Sequence, residues 1–216
     1  MEKYKVLLAD DHAIIRDGLK QILADTDDLE VLGEAANGVD LLHLIRQKKW
    51  DVLVLDISMP GRNGLDLIHL VKAEQADLPI LILSMHHEEQ YAVRALHAGA
   101  SGYITKESDS ELLVAAIRRV AAGGVHVSDR VAELMVRGMR SSTDTLPHTL
   151  LSDREFQIFN MLVSGAGLTE IGVELSLSVK TISTHKTHIL HKMNMVNVAE
   201  LIRYAIAHEL TEPSNF

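Results

Sequence analysis

Apolar residues cluster along the chain in two rhythms. Over the first 124 residues, short apolar runs stand at KVLL (5–8), EVLGEA (30–35), DVLVLD (51–56), PILILS (79–84) and GYIT (102–105). In DVLVLD the apolar residues do not alternate, which predicts a strand covered on both faces. Between the runs lie stretches with three- and four-residue spacing, such as Ile14, Leu19, Ile22 and Leu23, or Leu41, Leu42, Leu44 and Ile45. These predict amphipathic helices. Strands alternating with such helices imply βαβ units, right-handed crossovers and a parallel sheet. Five strands and five helices are predicted, making a compact doubly wound α/β domain over residues 1–124. Its fifth helix spans 107–122, opened by Ser108 or Asp109 and closed by Gly123-Gly124.

The rhythm changes after Gly124. SDRVAELMVRGMR (128–140) predicts a short helix within a linker over 125–148, and SSTDTLPHT (141–149) is turn-rich and weakly hydrophobic. From residue 150 onward only helical spacing is found. Ser152 with Glu155 forms a capping box, and further helices are predicted at about 169–175, 179–193 and 197–208. A small all-α domain is therefore expected over 149–211.

Composition narrows the class. No apolar run approaches the roughly 20 residues of a membrane span, so no membrane partner is expected. The first residues, MEKYKVLLADD, carry too many acids for a signal peptide. The chain has no cysteine, which excludes disulfides and thiolate metal sites and fits a reducing cytoplasm. A net charge of −9 argues against indiscriminate coating of nucleic acid. The balance is uneven: residues 1–124 hold 20 acids and 13 bases, while residues 176–194 hold Lys180, Lys186 and Lys192 and no acid.

The carboxyl ends of the predicted strands carry the candidate chemistry. Asp10 and Asp11 end the first strand, Asp56 the third, Ser84 the fourth and Lys106 the fifth. In open α/β sheets those ends line the ligand-binding crevice. Three carboxylates there would repel one another and raise their pKa values unless a cation sits among them. Oxygen ligands at a shallow rim suit Mg²⁺, which takes few protein ligands and keeps several waters. A carboxylate nucleophile, a hydroxyl and a lysine beside such a cation are the parts for making an aspartyl phosphate.

LLADD, LVLDISMPGRNG, LILSMH and GYITK together resemble the receiver domain of bacterial two-component response regulators over about 120 residues. The resemblance implies a five-stranded parallel sheet of order 2-1-3-4-5. It implies Asp56 as phosphoacceptor, with Asp10, Asp11, Asp56 and the Ser58 backbone carbonyl around Mg²⁺. Ser84 and Tyr103 would be the switch pair: on phosphorylation the hydroxyl moves to a phosphoryl oxygen and the ring follows inward. Where many receivers have proline after the lysine, this chain has Glu107, so no cis peptide is expected there.

LTEIGVELSLSVKTISTHKTHILHKM reads as helix, turn, helix. The order LSDRE, TEIGVELSLSVKTIS, KMNMVNVAELIRYA resembles the LuxR-type helix-turn-helix of the NarL/FixJ family over some 60 residues. By that resemblance 179–193 is the recognition helix; Ser183, Thr184 and Thr187 face bases, and Lys180, Thr181, His185, Lys186 and Lys192 lie near phosphates. The whole chain then reads as a regulator phosphorylated by a cognate sensor histidine kinase. It would be a homodimer when phosphorylated, paired through the last helix, and would bind DNA, with RNA polymerase a further partner.

Two other readings are weaker. His185, His188 and His191 drift around their helix, and no cysteine or nearby acid completes a zinc site. His86 and His87 read as solvated loop residues near the phosphorylation site. An aspartyl-phosphate enzyme would need a second acid/base group and a substrate cap, of which the sequence gives no sign, so an enzyme is not expected.

Overall fold

The computed structural model of the chain describes residues 3–59, 64–85, 88–140, 146–208 and 210. It divides into two compact units, Met1–Val136 and Arg137–Phe216. The predicted Pro60-Gly61 turn, His86 and His87, and residues 141–145 of the turn-rich segment lie outside the described residues.

The first unit alternates strand and helix: β1 (Tyr4–Ala9), α1 (Ala13–Ala24), β2 (Leu29–Ala35), α2 (Gly38–Gln47), β3 (Val52–Asp56), α3 (Gly64–Glu74), β4 (Ile80–Ser84), α4 (Glu88–His97), β5 (Gly102–Thr105) and α5 (Ser110–Ala121). The strands form one parallel sheet of order β2-β1-β3-β4-β5. Every residue of β3 and β4 is buried, as their unbroken apolar runs require, whereas β2 at the edge exposes Glu30, Leu32 and Glu34 in alternation. On one face Val6, Leu8, Val54, Leu81, Leu83 and Ile104 pack with Leu19, Leu23, Leu113 and Ile117 of α1 and α5. The alternate strand residues Leu7, Leu53, Leu55, Ile80 and Ile82 point to the other face and are equally buried. Burying each such side chain stabilises the fold by roughly 1.5–3 kcal/mol. Asp109 is the N-terminal cap position of α5, as one of the two expected residues, but its side chain makes no capping bond.

The outer edge of β5 is not left open. The His126 N–H donates to the Ser101 carbonyl at 3.1 Å, and the Tyr103 N–H donates to the His126 carbonyl at 2.9 Å. A side chain at Gly102 would lie 2.8 Å from that His126 oxygen, so the approach needs glycine. The first residues of the predicted linker thus finish the sheet and protect its edge from pairing with another chain. α6 (Asp129–Arg140) follows, with Val131 fully buried.

In the second unit the described residues are helical: a 3-10 turn (Pro147–Leu150), α7 (Asp153–Val163), α8 (Leu168–Glu174), α9 (Val179–Lys192) and α10 (Val198–Ala207). The capping box forms as expected, Ser152 Oγ accepting from the Glu155 N–H and Glu155 Oε2 from the Ser152 N–H at 2.8 Å. Phe156, Phe159, Ile171, Ile182, Ile189 and Leu201 make a core with no exposed surface. The Tyr204 hydroxyl and His148 Nδ1, 2.8 Å apart, fasten the 3-10 turn to α10. Between α8 and α9 the chain turns through Ser176 at φ +54, and the Leu177 N–H donates to the Gly172 carbonyl at 2.8 Å. A side chain at Gly172 would approach the Leu177 carbonyl oxygen to 2.9 Å, so this turn is shaped around a glycine.

Candidate phosphoacceptor pocket and nucleic-acid interface

The strand order makes β1 and β3 neighbours, with Ala9 opposite Leu55. Asp10, just past β1, and Asp56, last in β3, therefore meet at one rim. Both are almost fully buried, at 2% and 1% exposure. Lys106, following β5, reaches between them: Nζ donates to Asp56 Oδ2 at 2.8 Å and lies 2.7 Å from Asp10 Oδ2. The ammonium is thus paired with both carboxylates at once. The Ser58 N–H donates to Asp56 Oδ1 at 2.8 Å, which orients the remaining carboxylate edge. Arg16 donates to the Asp10 backbone carbonyl at 2.6 Å and fixes the end of β1.

Burial drives the electrostatics. It pushes the Asp56 carboxyl up, with the Asp10 charge pushing the same way, against the pull of Lys106 and the Ser58 N–H. Burial alone would lower the Lys106 ammonium, but its two carboxylate partners outweigh it and hold it above its ordinary value. The lysine is therefore a fixed cation at the Asp56 carboxylate. Ser84 and Tyr103 are fully buried. Tyr103 pairs with Ile82, two residues before Ser84, so both side chains lie on one face of adjacent strands. The Tyr103 ring already occupies an inward position.

Asp10, Asp11, His12 and Asp56 offer ligand atoms all within 4.8 Å of one another. Asp11 Oδ1 is buried and accepts no hydrogen bond, and Asp10 Oδ2 faces the Lys106 ammonium. Such a set of oxygens suits a small hard dication. His12 was not among the residues picked out by sequence; its only signal was its place directly after the aspartate pair.

In the second unit, Lys180, Thr184, Thr187 and His191 are exposed along α9 at positions i, i+4, i+7 and i+11, a single stripe opposite the buried Ile182 and Ile189. Thr181, Ser183, His185 and Lys186 are half-buried on its flanks. The Thr184 and Thr187 hydroxyls donate back to the Lys180 and Ser183 carbonyls, at 3.1 and 3.0 Å. They must swing outward to donate to a base. Burial, and then the neighbouring Arg154 guanidinium, holds the His185 imidazole below its ordinary value. Lys192 differs from the other lysines, because its Nζ lies 2.6 Å from Glu155 Oε2 and ties the end of α9 to the capping box of α7. His191 joins the exposed stripe although the sequence reading left it out; its spacing of four from Thr187 was the available sign.

A rim of acids clasping one lysine, with a helix-turn-helix further along the chain, defines a two-domain response regulator. Residues 6–118 match the family described as "Response regulator receiver domain", and residues 149–205 the one described as "Bacterial regulatory proteins, luxR family". The chain belongs to the NarL/FixJ family of response regulators, a family of transcriptional regulators. It is 37% identical over 215 residues to the oxygen regulatory protein NreC of Staphylococcus carnosus, covering 96% of this chain and 99% of that one. The NreC of Staphylococcus epidermidis is 38% identical over 216 residues with the same coverage. Among solved structures, RcsB of Salmonella typhimurium superposes with a TM-score of 0.69 at 26% identity, covering 96% of this chain and 98% of that one. RcsB of Salmonella enterica serovar Typhimurium bound to promoter rprA in the presence of phosphomimetic BeF3- gives 0.65 at 26% identity, covering 95% and 100%. Receiver domains generally bind Mg²⁺ at an acidic pocket, and Asp10, Asp11 and Asp56 form an acidic cluster in this chain. Among the described residues no helix is long and apolar enough to cross a membrane.

Proposed function

We propose that the chain is a phosphorylation-switched transcription factor of the bacterial cytoplasm, with residues 1–124 as receiver, 125–148 as linker and 149–211 as DNA-binding domain. The observation that carries this is the Lys106 ammonium held between two buried carboxylates, Asp10 and Asp56. An Asp56 oxygen attacks the phosphorus of a phosphohistidine on a sensor kinase; the P–O bond forms, the P–N bond breaks, and the imidazole nitrogen keeps the electron pair. Lys106 neutralises phosphoryl oxygens as a point charge. Mg²⁺, held by Asp10, Asp11, Asp56 and the Ser58 carbonyl, would supply charge screening for that transfer. Ser84 then donates to a phosphoryl oxygen and Tyr103 packs behind it.

The output is DNA binding through α9. Ser183, Thr184 and Thr187 read base edges, hydroxyls serving either base type. Lys180, Thr181, His185 and Lys186 hold phosphates, with Lys192, already engaged by Glu155, the weakest of these contacts. On α10, Val198 and Ile202 are half-buried and Ile206 is 63% exposed, at four-residue spacing. That stripe pairs with its twin in a phosphorylated homodimer on a two-fold site, from which RNA polymerase can be contacted. Moving such an equilibrium from 1:99 to 99:1 takes about 5.5 kcal/mol of differential stabilisation.

The test is chemical. With Mg²⁺ and a small phosphodonor, the chain should gain one base-labile acyl phosphate, absent in Asp56→Asn. A stable phosphoserine or phosphohistidine would overturn the proposal.

A further inference from the structure

We infer that His12 is an additional ligand of the acidic pocket, one that extends its choice of divalent cation from Mg²⁺ toward borderline transition metals. The inference rests on the proposed reading of Asp10, Asp11 and Asp56 as a cation site, and adds one nitrogen to it.

His12 occupies the N-terminal cap position of α1 yet makes no side-chain bond to that helix. Its backbone N–H instead donates to Asp10 Oδ1 at 2.7 Å. That bond folds the residue back over the carboxylates, leaving ring Nδ1 3.0 Å from Asp11 Oδ1 and 3.3 Å from Asp10 Oδ1. Two ligands at right angles, each about 2.1 Å from one ion, stand about 3.0 Å apart. The imidazole is therefore placed as a neighbouring ligand to Asp11 would be, and Asp11 Oδ1 is one of the buried oxygens that accepts no hydrogen bond. The same spacing also serves a hydrogen bond from the ring, and only the nitrogen's bonding to an ion separates the two.

The chemistry sets the consequence. Carboxylate oxygens suit Mg²⁺, whereas imidazole suits Zn, Cu, Fe and Ni, with affinities rising along the divalent series. A pocket with oxygens alone favours hard ions; Nδ1 adds little for Mg²⁺ and more for Co²⁺. The side chain is 62% exposed, so its replacement leaves the core of the receiver intact.

The full chain, His12→Ala, His12→Gln and Asp11→Ala should be titrated with Co²⁺ and with Mg²⁺, following contact-shifted imidazole resonances by NMR. In the parent chain, one set of shifted ring resonances should appear with Co²⁺ and vanish when excess Mg²⁺ displaces it. That displacement separates the pocket from surface histidines. Both His12 variants should lack this set and bind Co²⁺ about tenfold more weakly, with Mg²⁺ affinity changed less than about twofold. Mg²⁺-displaceable Co²⁺ binding that is lost in Asp11→Ala but shows no shifted ring resonance would overturn the role of His12 while leaving the cation site standing. Failure of both ions to bind, or binding indifferent to Asp11→Ala, would overturn both.

Discussion

Lys192→Met removes one ammonium and keeps most of the side-chain stem, so it isolates the tie between α9 and α7. Nζ lies 2.6 Å from Glu155 Oε2, with the Glu155 side chain 6% exposed and the Lys192 side chain 41% exposed. At an effective dielectric of 20, unit charges at that distance attract by about 6 kcal/mol. Water around the lysine screens most of this. The expected net coupling is about 1–2 kcal/mol, between the worth of an exposed pair and the loss on severing a buried one. Native-state amide exchange on the full chain reads it at the Ile189 and Met193 N–H groups, the latter bonded to the Ile189 carbonyl at 2.9 Å. Exchange there should quicken by about 5- to 30-fold. A double-mutant cycle with Glu155→Gln should return most of the loss as coupling. pH supplies a second check. Burial would raise the Glu155 carboxyl, but Lys192 and the Ser152 groups outweigh it and hold it below its ordinary 4.5. A carboxyl lowered in the folded state stabilises above its unfolded value, and that stabilisation fades as pH falls through the folded one. The extra protection of the parent over Lys192→Met should therefore shrink below about pH 4.5. Equal protection in both proteins at neutral pH would show that the Lys192–Glu155 pair does not hold α9 to α7.

Other outcomes follow from the same geometry. Lys106→Met leaves Asp10 and Asp56 buried without their cation, so the receiver should lose about 3–5 kcal/mol. Urea unfolding followed by Trp50, the sole tryptophan, measures it, and added Mg²⁺ should restore part; an unchanged midpoint would count against the bridging role. Gly172→Ala should destabilise the helix-turn-helix by roughly 1–3 kcal/mol, because the new methyl meets the Leu177 carbonyl; amide exchange in α8 and α9 reports it. Lys180→Ala should reduce the salt dependence of DNA binding by about one unit of slope, while Lys192→Met should leave the slope nearly unchanged.

What could be read from the sequence was whatever depends on short-range pattern. The unbroken runs of β3 and β4 announced strands covered on both faces, and Ser152 with Glu155 announced the start of α7. The rim residues Asp10, Asp11, Asp56, Ser84 and Lys106 were legible because each closes a run whose type was clear. Contacts between distant residues were not. In GGVHVS only Val125 to Ser128 alternate, directly after two glycines, a run too short to announce a strand, so the pairing of His126 with the edge of β5 had almost no local signal. The partnership of Lys192 with Glu155 spans 37 residues and made an internal tie look like a solvent-facing base. His12 was hidden for another reason: its side chain is aimed by its own backbone bond to Asp10, a detail of turn geometry that residue type does not carry.

On the proposed reading, phosphorylation of Asp56 governs DNA binding by α9. DNA affinity of the full chain, unmodified and after treatment with phosphodonor and Mg²⁺, tests it most directly on a duplex selected from random sequence, with Asp56→Asn treated alongside. Treatment should tighten binding by the parent chain and leave Asp56→Asn unchanged. Equal affinity of the parent chain before and after it has demonstrably gained the acyl phosphate would show that the receiver does not control DNA binding.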